Sequence, residues 1–399
     1  MMCAPKPRPN KRRRRRRNTA REREAAMIRR QHAGGDLPDD LVLEILRRVP
    51  YRSLCRFKAV SPPWLALCSA AALRRNKPPR YRTLSGFLYH STRQNHPDLW
   101  GYYGRRYGFI DVVKNGRPNP MVDASRWSHS HLADVTLVDC CNGLLLRGTS
   151  ADAIVYAVCN PATPDERLLV LPPPPLPGLE QRASSYDQMR LGFDPAVSPH
   201  QFTVFFLHCG SASAGRYGLS LSVYSSEAKT WIPSTSSVVV RACPRRQTAF
   251  FNGSLHLLTE ENLVLAVDKE GEAWRSIRTP CRFSFLGHSE GRLCAVEQPQ
   301  GHRWNVLAIW FLEDYGGEHW AMKHSVVDAA GLFPACGITT GGSSYTVVAF
   351  HPDREMVFLC AGVHRHLMSY DMDSGKSKYI CTSTAELYLP YVPCLYQSG

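Results

Sequence analysis

The apolar positions of this 399-residue chain follow two different periods, and the change falls near residue 80. Between residues 37 and 67 the apolar side chains recur every three or four positions, which is the period of an amphipathic helix. From about residue 81 onward, short runs rich in Val, Leu, Phe, Tyr and Trp alternate with Gly, Pro, Asn and Asp, a pattern typical of strands and turns. The pattern predicts a small all-α module followed by a large, mainly β domain.

The helical segment is divided by its prolines and serines into three short helices. Pro38 suits a first helical position, Pro50 ends the first helix, and Ser53 and Ser61 can cap the next two. The first helix carries an apolar stripe formed by Leu41, Val42, Ile45, Leu46 and Val49. About thirty residues cannot bury all of these groups by themselves, so we expect part of this surface to contact a partner.

A loose repeat runs through the β region. One half of it is a turn that ends in glycine and leads into alternating apolar residues, as at Asn142-Gly143, Asn252-Gly253 and Glu290-Gly291. The other half is a hairpin, and five such hairpins have their polar turns near residues 160, 226, 270, 315 and 374. Units of roughly 40 to 70 residues with about four strands suit propeller blades. We therefore predict a β-propeller of about six blades, with Tyr81 to Val113 as an irregular first blade and Leu389 to Pro393 closing the ring.

The basic charge of the chain is concentrated in its first residues. The formal net charge is +15, and residues 1–32 account for +11 of it. A like-charge block of this kind is expected to be disordered through self-repulsion. The run Lys11, Arg12, Arg13, Arg14, Arg15, Arg16 and Arg17 is a candidate nuclear-import signal, and it could also bind nucleic acid non-specifically. The expected localisation is the nucleus, the cytoplasm or both; the alternative is a solvated tail that carries no address.

Composition bears on the compartment and on the membrane. No stretch reaches the roughly eighteen apolar residues of a membrane span, so no membrane partner is expected. The fourteen cysteines form no CxxC pair. In a chain of this size they are expected to be reduced and mostly buried thiols, as for Cys209, Cys294 and Cys360, which lie in apolar runs.

The helical module resembles an F-box. The resemblance rests on features in the family's order: Leu37-Pro38, Leu41/Ile45/Leu46, Val49-Pro50, Ser53-Leu54 and Val60 followed by Trp64. It implies that the chain is the substrate-receptor subunit of a cullin-based ubiquitin ligase. The residues it implies for docking a Skp-type adaptor, and through it a cullin, are Leu37, Pro38, Leu41, Ile45, Leu46, Leu54, Val60 and Trp64.

The β region resembles the propeller-like F-box-associated domain of plant F-box proteins, through the motifs at residues 141–145 and 160–163. That resemblance implies binding of a protein target, whose identity the sequence does not reveal. The predicted domains are a disordered basic tail at 1–35, an F-box at 36–75 and a β-propeller domain at 76–399.

Motifs for catalysis or metal binding are incomplete. Gly375-Lys376-Ser377 lacks the upstream glycine of a phosphate loop, and Asp371 to Gly375 opens like a calcium loop but has no glutamate at its far end. The pairs His129/His131 and His364/His366 have no further ligand placed by the sequence. We therefore predict no catalytic residue, no cofactor and no metal.

Three other interpretations remain open. The helical segment could be a cap on the β domain. The chain could be a nuclear scaffold that uses the basic tail for nucleic acid, with an F-box made degenerate by Ser61-Pro62-Pro63, where many F-boxes carry a cysteine and a basic residue. A propeller enzyme would need groups converging on the axis. A separate question is whether Pro172 to Pro175 form a polyproline-II ligand or a rigid loop between strands.

Overall fold

The computed structural model describes residues 38–48, 64, 84–92, 105–112, 135–150, 154–162, 168–175, 188–211, 216–241, 247–298, 306–316, 318–327, 332, 345–361, 365–383 and 385–394. The chain divides into two compact units, Met1–Tyr81 and Arg82–Gly399. The predicted domain limits at 36–75 and 76–399 stay predictions.

The first unit contains one described helix, α1, at Asp39–Arg48. The carbonyl oxygen of Pro38 accepts hydrogen bonds from the N–H groups of Leu41 (2.9 Å) and Val42 (3.0 Å). Pro38 therefore lies just before the helix, one position earlier than predicted, and supplies the first acceptor. Trp64 is also helical. The remainder of the second and third predicted helices lies outside the described residues.

The second unit is built from antiparallel strands. The first sheet begins with β1 (Gly86–Thr92) and β2 (Arg105–Asp111). Five further sheets follow in chain order. They are β3 (Val135–Cys141), β4 (Leu144–Ser150), β5 (Ile154–Cys159) and β6 (Leu169–Val170); β7 (Gln188–Phe193), β8 (Phe202–Ser211), β9 (Tyr217–Ser225) and β10 (Thr230–Pro233), with β11 (Val238–Val240) also on β9; β12 (Thr248–Phe251), β13 (Ser254–Leu258), β14 (Leu263–Asp268) and β15 (Trp274–Arg278); β16 (Phe283–Ser289), β17 (Arg292–Glu297), β18 (Leu307–Asp314) and β19 (His319–Val326); and β20 (Tyr345–Phe350), β21 (Met356–Ala361), β22 (His366–Asp371) and β23 (Lys376–Thr382). The last strand, β24 (Leu387–Tyr391), returns to pair with β1.

These six sheets are the blades of a six-bladed β-propeller, which confirms the predicted fold class. Six buried apolar clusters lie between neighbouring blades, one at each junction, and one of them joins blade 6 to blade 1. The core of the domain is therefore divided among the blade junctions. Each blade covers the apolar face of the next, and the ring is complete.

The turns within the blades follow the local sequence. At Asn142-Gly143, Asn252-Gly253 and Glu290-Gly291 both residues have positive φ angles, as a two-residue type I′ hairpin requires. These turns join the first and second strands of blades 2, 4 and 5. The five predicted hairpins join the third and fourth strands of blades 2 to 6. Both halves of the predicted repeat are confirmed.

Two glycines on inner strands allow close approach between blades. A Cβ atom on Gly192 would lie 2.7 Å from the Phe250 ring, and one on Gly287 would lie 2.9 Å from the Phe350 ring. Each aromatic ring comes from the inner strand of the following blade, so the same glycine–aromatic contact recurs at two junctions. A side chain larger than hydrogen at either position would push adjacent blades apart.

The C-terminal strand closes the ring, as predicted. β24 is the inner strand of blade 1 and lies beside β3 of blade 2. Beyond it, the carbonyl oxygen of Cys394 accepts a 2.8 Å hydrogen bond from Nδ2 of Asn160, and both residues are buried. A Cβ atom on Gly143 would clash with the carbonyl oxygen of Val392. The turn at Gly143 and the side chain of Asn160 thus contact the segment Val392 to Cys394, which follows β24.

The described cysteines are free thiols, as predicted, except Cys209. Cys294 and Cys360 are buried free thiols, and burial raises the pKa of Cys294. Cys209 is also buried, but it is disulfide-bonded, and its partner lies outside the described residues. The expectation of a reduced thiol was therefore wrong for Cys209.

Candidate protein-interaction sites

Helix α1 has two different apolar faces. Leu43 and Leu46 are buried, at 7% and 2% exposure, and Val42 is half-buried. Leu41 and Ile45 are 51% and 50% exposed. At about 100° of rotation per residue, Leu41 and Ile45 are neighbours on one side, while positions 42, 43 and 46 fall together on another. The single predicted stripe is therefore two stripes, one buried and one exposed.

The predicted adaptor residues are distributed unevenly over these faces. Pro38, Leu41 and Ile45 are exposed and share one side of the helix start. Leu46 is buried, at 2% exposure, and its adaptor contact stays a prediction. Trp64 is half-buried. The remaining predicted residues, Leu37, Leu54 and Val60, lie outside the described residues.

The predicted apolar stripe omits Leu43, although Leu43 is part of the buried face of α1. The i, i+3 spacing of Leu43 and Leu46 indicates that the two side chains share a face. Periodicity showed that the helix was amphipathic, but five apolar residues among six consecutive positions cover more than one side of a helix. Only the fold shows which side is covered.

The propeller encloses a cavity of about 840 Å³ along its axis. Its wall is formed by inner strands of the blades, with aromatic side chains at Phe250, Phe285 and Phe350 and polar groups at Gln188 and Gln247. A cavity of this size lies in the range of small-molecule sites.

Asp139, a carboxylate in the cavity wall, is used by the fold. Asp139 on β3 accepts hydrogen bonds from the backbone N–H groups of Cys140 and Leu191, both at 2.8 Å. Burial raises the pKa of Asp139, while the nearby Arg190 charge opposes that shift. Arg190 donates to the carbonyl oxygen of Met189 (2.7 Å) and to Oε1 of Gln188 (2.8 Å). The carboxylate joins the inner strands of blades 2 and 3, which is a positioning role.

The most buried histidine has a structural role as well. His256 contacts the hydroxyl of Tyr315 through Nε2 at 2.8 Å and the carbonyl oxygen of Ala249 through Nδ1 at 3.2 Å. Burial lowers its pKa to about 4, and the charge of Arg275 acts in the same direction. The ring is neutral near pH 7 and connects blades 4 and 5.

The motifs considered for catalysis or metal binding are turn elements where they are described. Oδ1 of Asp371 accepts hydrogen bonds from the backbone N–H and the hydroxyl of Ser374, both at 2.8 Å, within the β22–β23 turn. His366 contacts the Thr382 hydroxyl at 2.9 Å. Within the described part of the chain, no three His, Cys, Asp or Glu side chains are placed to hold a metal ion. His129, His131 and His364 lie outside it.

Among the described residues, no helix combines the length and the apolar composition needed to cross a bilayer.

Comparison with known families covers both units. A model of the F-box domain matches residues 35–75. A model described as the F-box protein At3g26010-like β-propeller matches residues 121–388, which is more than half of the chain. The comparisons give no support to the predicted nucleic-acid contact of the basic tail.

Individual relatives agree with the family matches. The F-box protein At5g07610 of Arabidopsis thaliana is 26% identical over 323 residues, which cover 72% of this chain and 70% of that protein. The F-box protein At5g49610, also from Arabidopsis thaliana, is 26% identical over 347 residues, covering 80% and 87%. Among solved structures, YCF48 bound to D1 peptide covers 76% of this chain and 83% of its own at 11% identity, with a TM-score of 0.37.

Proposed function

Because this chain belongs to the family of F-box proteins with an At3g26010-like β-propeller, we propose that it is the substrate-recognition subunit of a Skp–cullin–F-box ubiquitin ligase. In this proposal the helical unit binds a Skp-type adaptor, the adaptor binds the cullin, and the propeller binds the protein target. Pairing an F-box with a β-propeller is in general the architecture of a substrate receptor, whereas the adaptor contact and the target are the proposed parts.

The observation that carries the proposal is the exposed apolar face of α1. Leu41 and Ile45 are each about half exposed although Leu43 and Leu46 beside them are buried. Large exposed aliphatic side chains one helical turn apart are typical anchors for a partner that receives a helix face. A stable protein interface buries roughly 800 Å² on each side, with a few anchors dominating its energy. Leu41 and Ile45 are the described candidates for such anchors.

Ubiquitin transfer makes no demand for a nucleophile in this chain. The receptor acts by holding the target near the conjugating enzyme, which raises the effective concentration of its lysines. The described polar groups of the propeller agree with such a role, since Asp139 and His256 are both engaged in joining blades. The protein is therefore proposed to be a non-catalytic receptor.

Co-purification of the full chain with a Skp-type adaptor and a cullin tests the proposal. We expect the wild type to recover both, and the Leu41→Ala/Ile45→Ala variant to bind the adaptor roughly thirtyfold or more weakly, because loss of apolar anchors costs about 2 kcal/mol or more. The matched control is Val155→Ala/Val170→Ala, which removes two exposed aliphatic side chains from the propeller.

Three results are informative. Loss of adaptor in the α1 variant but not in the control supports the assignment. Equal recovery with both variants would remove α1 from the interface. Failure of the wild type to recover any adaptor would contradict the ligase role itself.

The nuclear scaffold is the second hypothesis, and the family matches do not favour it. Its test is deletion of residues 1–32, which would abolish nucleic-acid binding and leave adaptor recovery intact if the basic tail acts alone. We also propose nuclear import through Lys11 to Arg17, and the run of basic residues is the basis of this proposal. Imaging of a fluorescent fusion with and without residues 1–32 would test it.

A further inference from the structure

The outer rim of the propeller carries a run of four consecutive prolines, Pro172 to Pro175, directly after the edge strand of blade 2. We propose that this run is a docking ligand for a partner protein whose binding groove is lined with aromatic side chains and recognises polyproline-II helices, as in WW or SH3 domains. The proposal concerns a different surface from α1 and does not depend on adaptor binding.

Covalent structure dictates the conformation of this run. Proline fixes its own φ near about −65°, and a residue that precedes a proline is restricted to extended or polyproline-II geometry. Residues 171–174 all precede a proline, and residues 172–175 are all prolines. The segment is thus a short polyproline-II helix in the free protein. With three residues per turn, Pro172 and Pro175 lie on the same side, which is the PxxP arrangement.

The segment is held at one end by two blades. Leu171 is 4% exposed, and its backbone N–H donates to the carbonyl oxygen of Tyr156 on β5 at 2.8 Å. From blade 3, Nε1 of Trp231 donates to the carbonyl oxygen of Pro172 at 2.8 Å. The Trp231 ring is itself held edge-on against Tyr224, with 5.6 Å between the ring centres. A binding partner would therefore pay little entropy to order this segment.

The side chains of the run remain accessible. Pro172, Pro173 and Pro175 are exposed, and Pro174 is half-buried. Leu169 and Val170, just before the run, are 40% and 55% exposed. The segment 168–175 contains no charged residue. Recognition would therefore rest on proline rings packing against aromatic side chains, which is the chemistry of polyproline grooves.

Protection of the sheet edge accounts for only part of this pattern. The two-residue strand β6 is the outer edge of blade 2, and a proline after it prevents pairing with another chain. One proline suffices for that purpose. Four prolines in sequence, with the first and fourth exposed on one side, go beyond it and produce a surface that such grooves recognise.

Isothermal titration of the full chain with a purified WW domain and with a purified SH3 domain tests the proposal. We expect saturable binding to at least one domain and competition by a synthetic peptide of residues 168–176. The Pro172→Ala/Pro175→Ala variant should bind at least tenfold more weakly. Pro280→Ala, at an exposed proline between β15 and β16, is the matched control and should bind as the wild type does.

Thermal unfolding of each variant separates a lost contact from a lost fold. Should the double variant unfold, Pro175→Ala alone replaces it, because no contact described for Pro175 holds the blade together. The proposal is overturned if neither domain binds the wild type, if the proline variant binds as tightly as the wild type, or if the peptide binds and the full chain does not.

Discussion

Helix α1 and the propeller treat their apolar surface in opposite ways. In the propeller, each blade face is covered by the next blade, and six clusters account for the junctions. In α1, Leu43 and Leu46 are covered while Leu41 and Ile45 are half exposed. Burial of apolar area stabilises both. The propeller buries its apolar faces between its own blades, whereas α1 keeps an exposed apolar face, which is the surface proposed to bind an adaptor. The proposed role, in which one unit joins an assembly and the other holds a target, would use one surface of each kind.

The largest loss of stability is expected from deleting the strand that closes the ring of blades. We predict that deletion of residues 387–399, which removes β24 with the buried residues Leu389 and Tyr391, abolishes cooperative unfolding of the propeller. The loss would exceed about 5 kcal/mol, comparable to the whole stability of many domains. Adaptor recovery through α1 should persist. Differential scanning calorimetry and co-purification on the same sample measure the two effects.

The control for this deletion is removal of residues 395–399, which retains Cys394 and its hydrogen bond from Asn160. That shorter deletion should leave the unfolding temperature nearly unchanged. A closed, cooperatively unfolding propeller without β24 would show that the C-terminal strand is dispensable for the ring.

A smaller loss of stability is expected when the pH is lowered, and it should affect the propeller. The pKa of His256 is about 4 in the folded chain and 6.5 at its ordinary value. Between these values the unfolded chain binds the proton that the folded chain excludes, so stability falls as the pH drops from about 6.5 to 4. At about pH 5 this one histidine accounts for a loss of about 2 kcal/mol.

Urea unfolding at about pH 7.5 and at about pH 5 measures this effect, with His256→Gln as the comparison variant. Glutamine can retain a hydrogen bond to Tyr315 without taking up a proton. The variant should be less sensitive to acid than the wild type by about 2 kcal/mol. The same pH dependence in both proteins would assign the acid sensitivity to other groups, such as His351, whose pKa burial lowers to about 4.

The smallest predicted change in stability concerns the hydroxyl group of Tyr391 on β24. The Tyr391 side chain is fully buried, and its hydroxyl has no hydrogen-bond partner among the described residues. An unsatisfied buried hydroxyl is destabilising, so Tyr391→Phe should be neutral or stabilising by up to about 1 kcal/mol. Thermal unfolding of the two proteins measures the difference. A clear loss of stability would instead reveal a polar contact that anchors β24.

Local chemistry explains which parts of the fold were predictable. The turn at Asn142-Gly143 needs two positive φ angles, and the residue types that tolerate them are written in the sequence. The polar turn between β22 and β23 is likewise set by adjacent residues, with Asp371 hydrogen-bonded to Ser374. Local features of this kind allow the repeat of the blades to be predicted from the sequence.

Contacts between distant parts of the chain explain what was missed. Asn160 and Cys394 are separated by 234 positions, and no local pattern indicates that one holds the other. Asp139 bonds the N–H of Leu191 in the next blade for a reason that appears only when the ring is assembled. The exposure of Leu41 and the burial of Leu43 follow from tertiary packing, which helical periodicity alone does not specify.

Because β24 pairs with β1 to complete the ring, the order of synthesis determines when the propeller can close. Helix α1 leaves the ribosome before any described strand of the propeller, whereas β24, the inner strand of blade 1, emerges after all the other described strands. The propeller therefore cannot close until β24 has been synthesised. A premature stop codon before residue 387 would yield a product that keeps helix α1 but lacks β24. If α1 binds an adaptor as proposed, this product would compete with the intact protein for the adaptor, and such truncating alleles should be dominant.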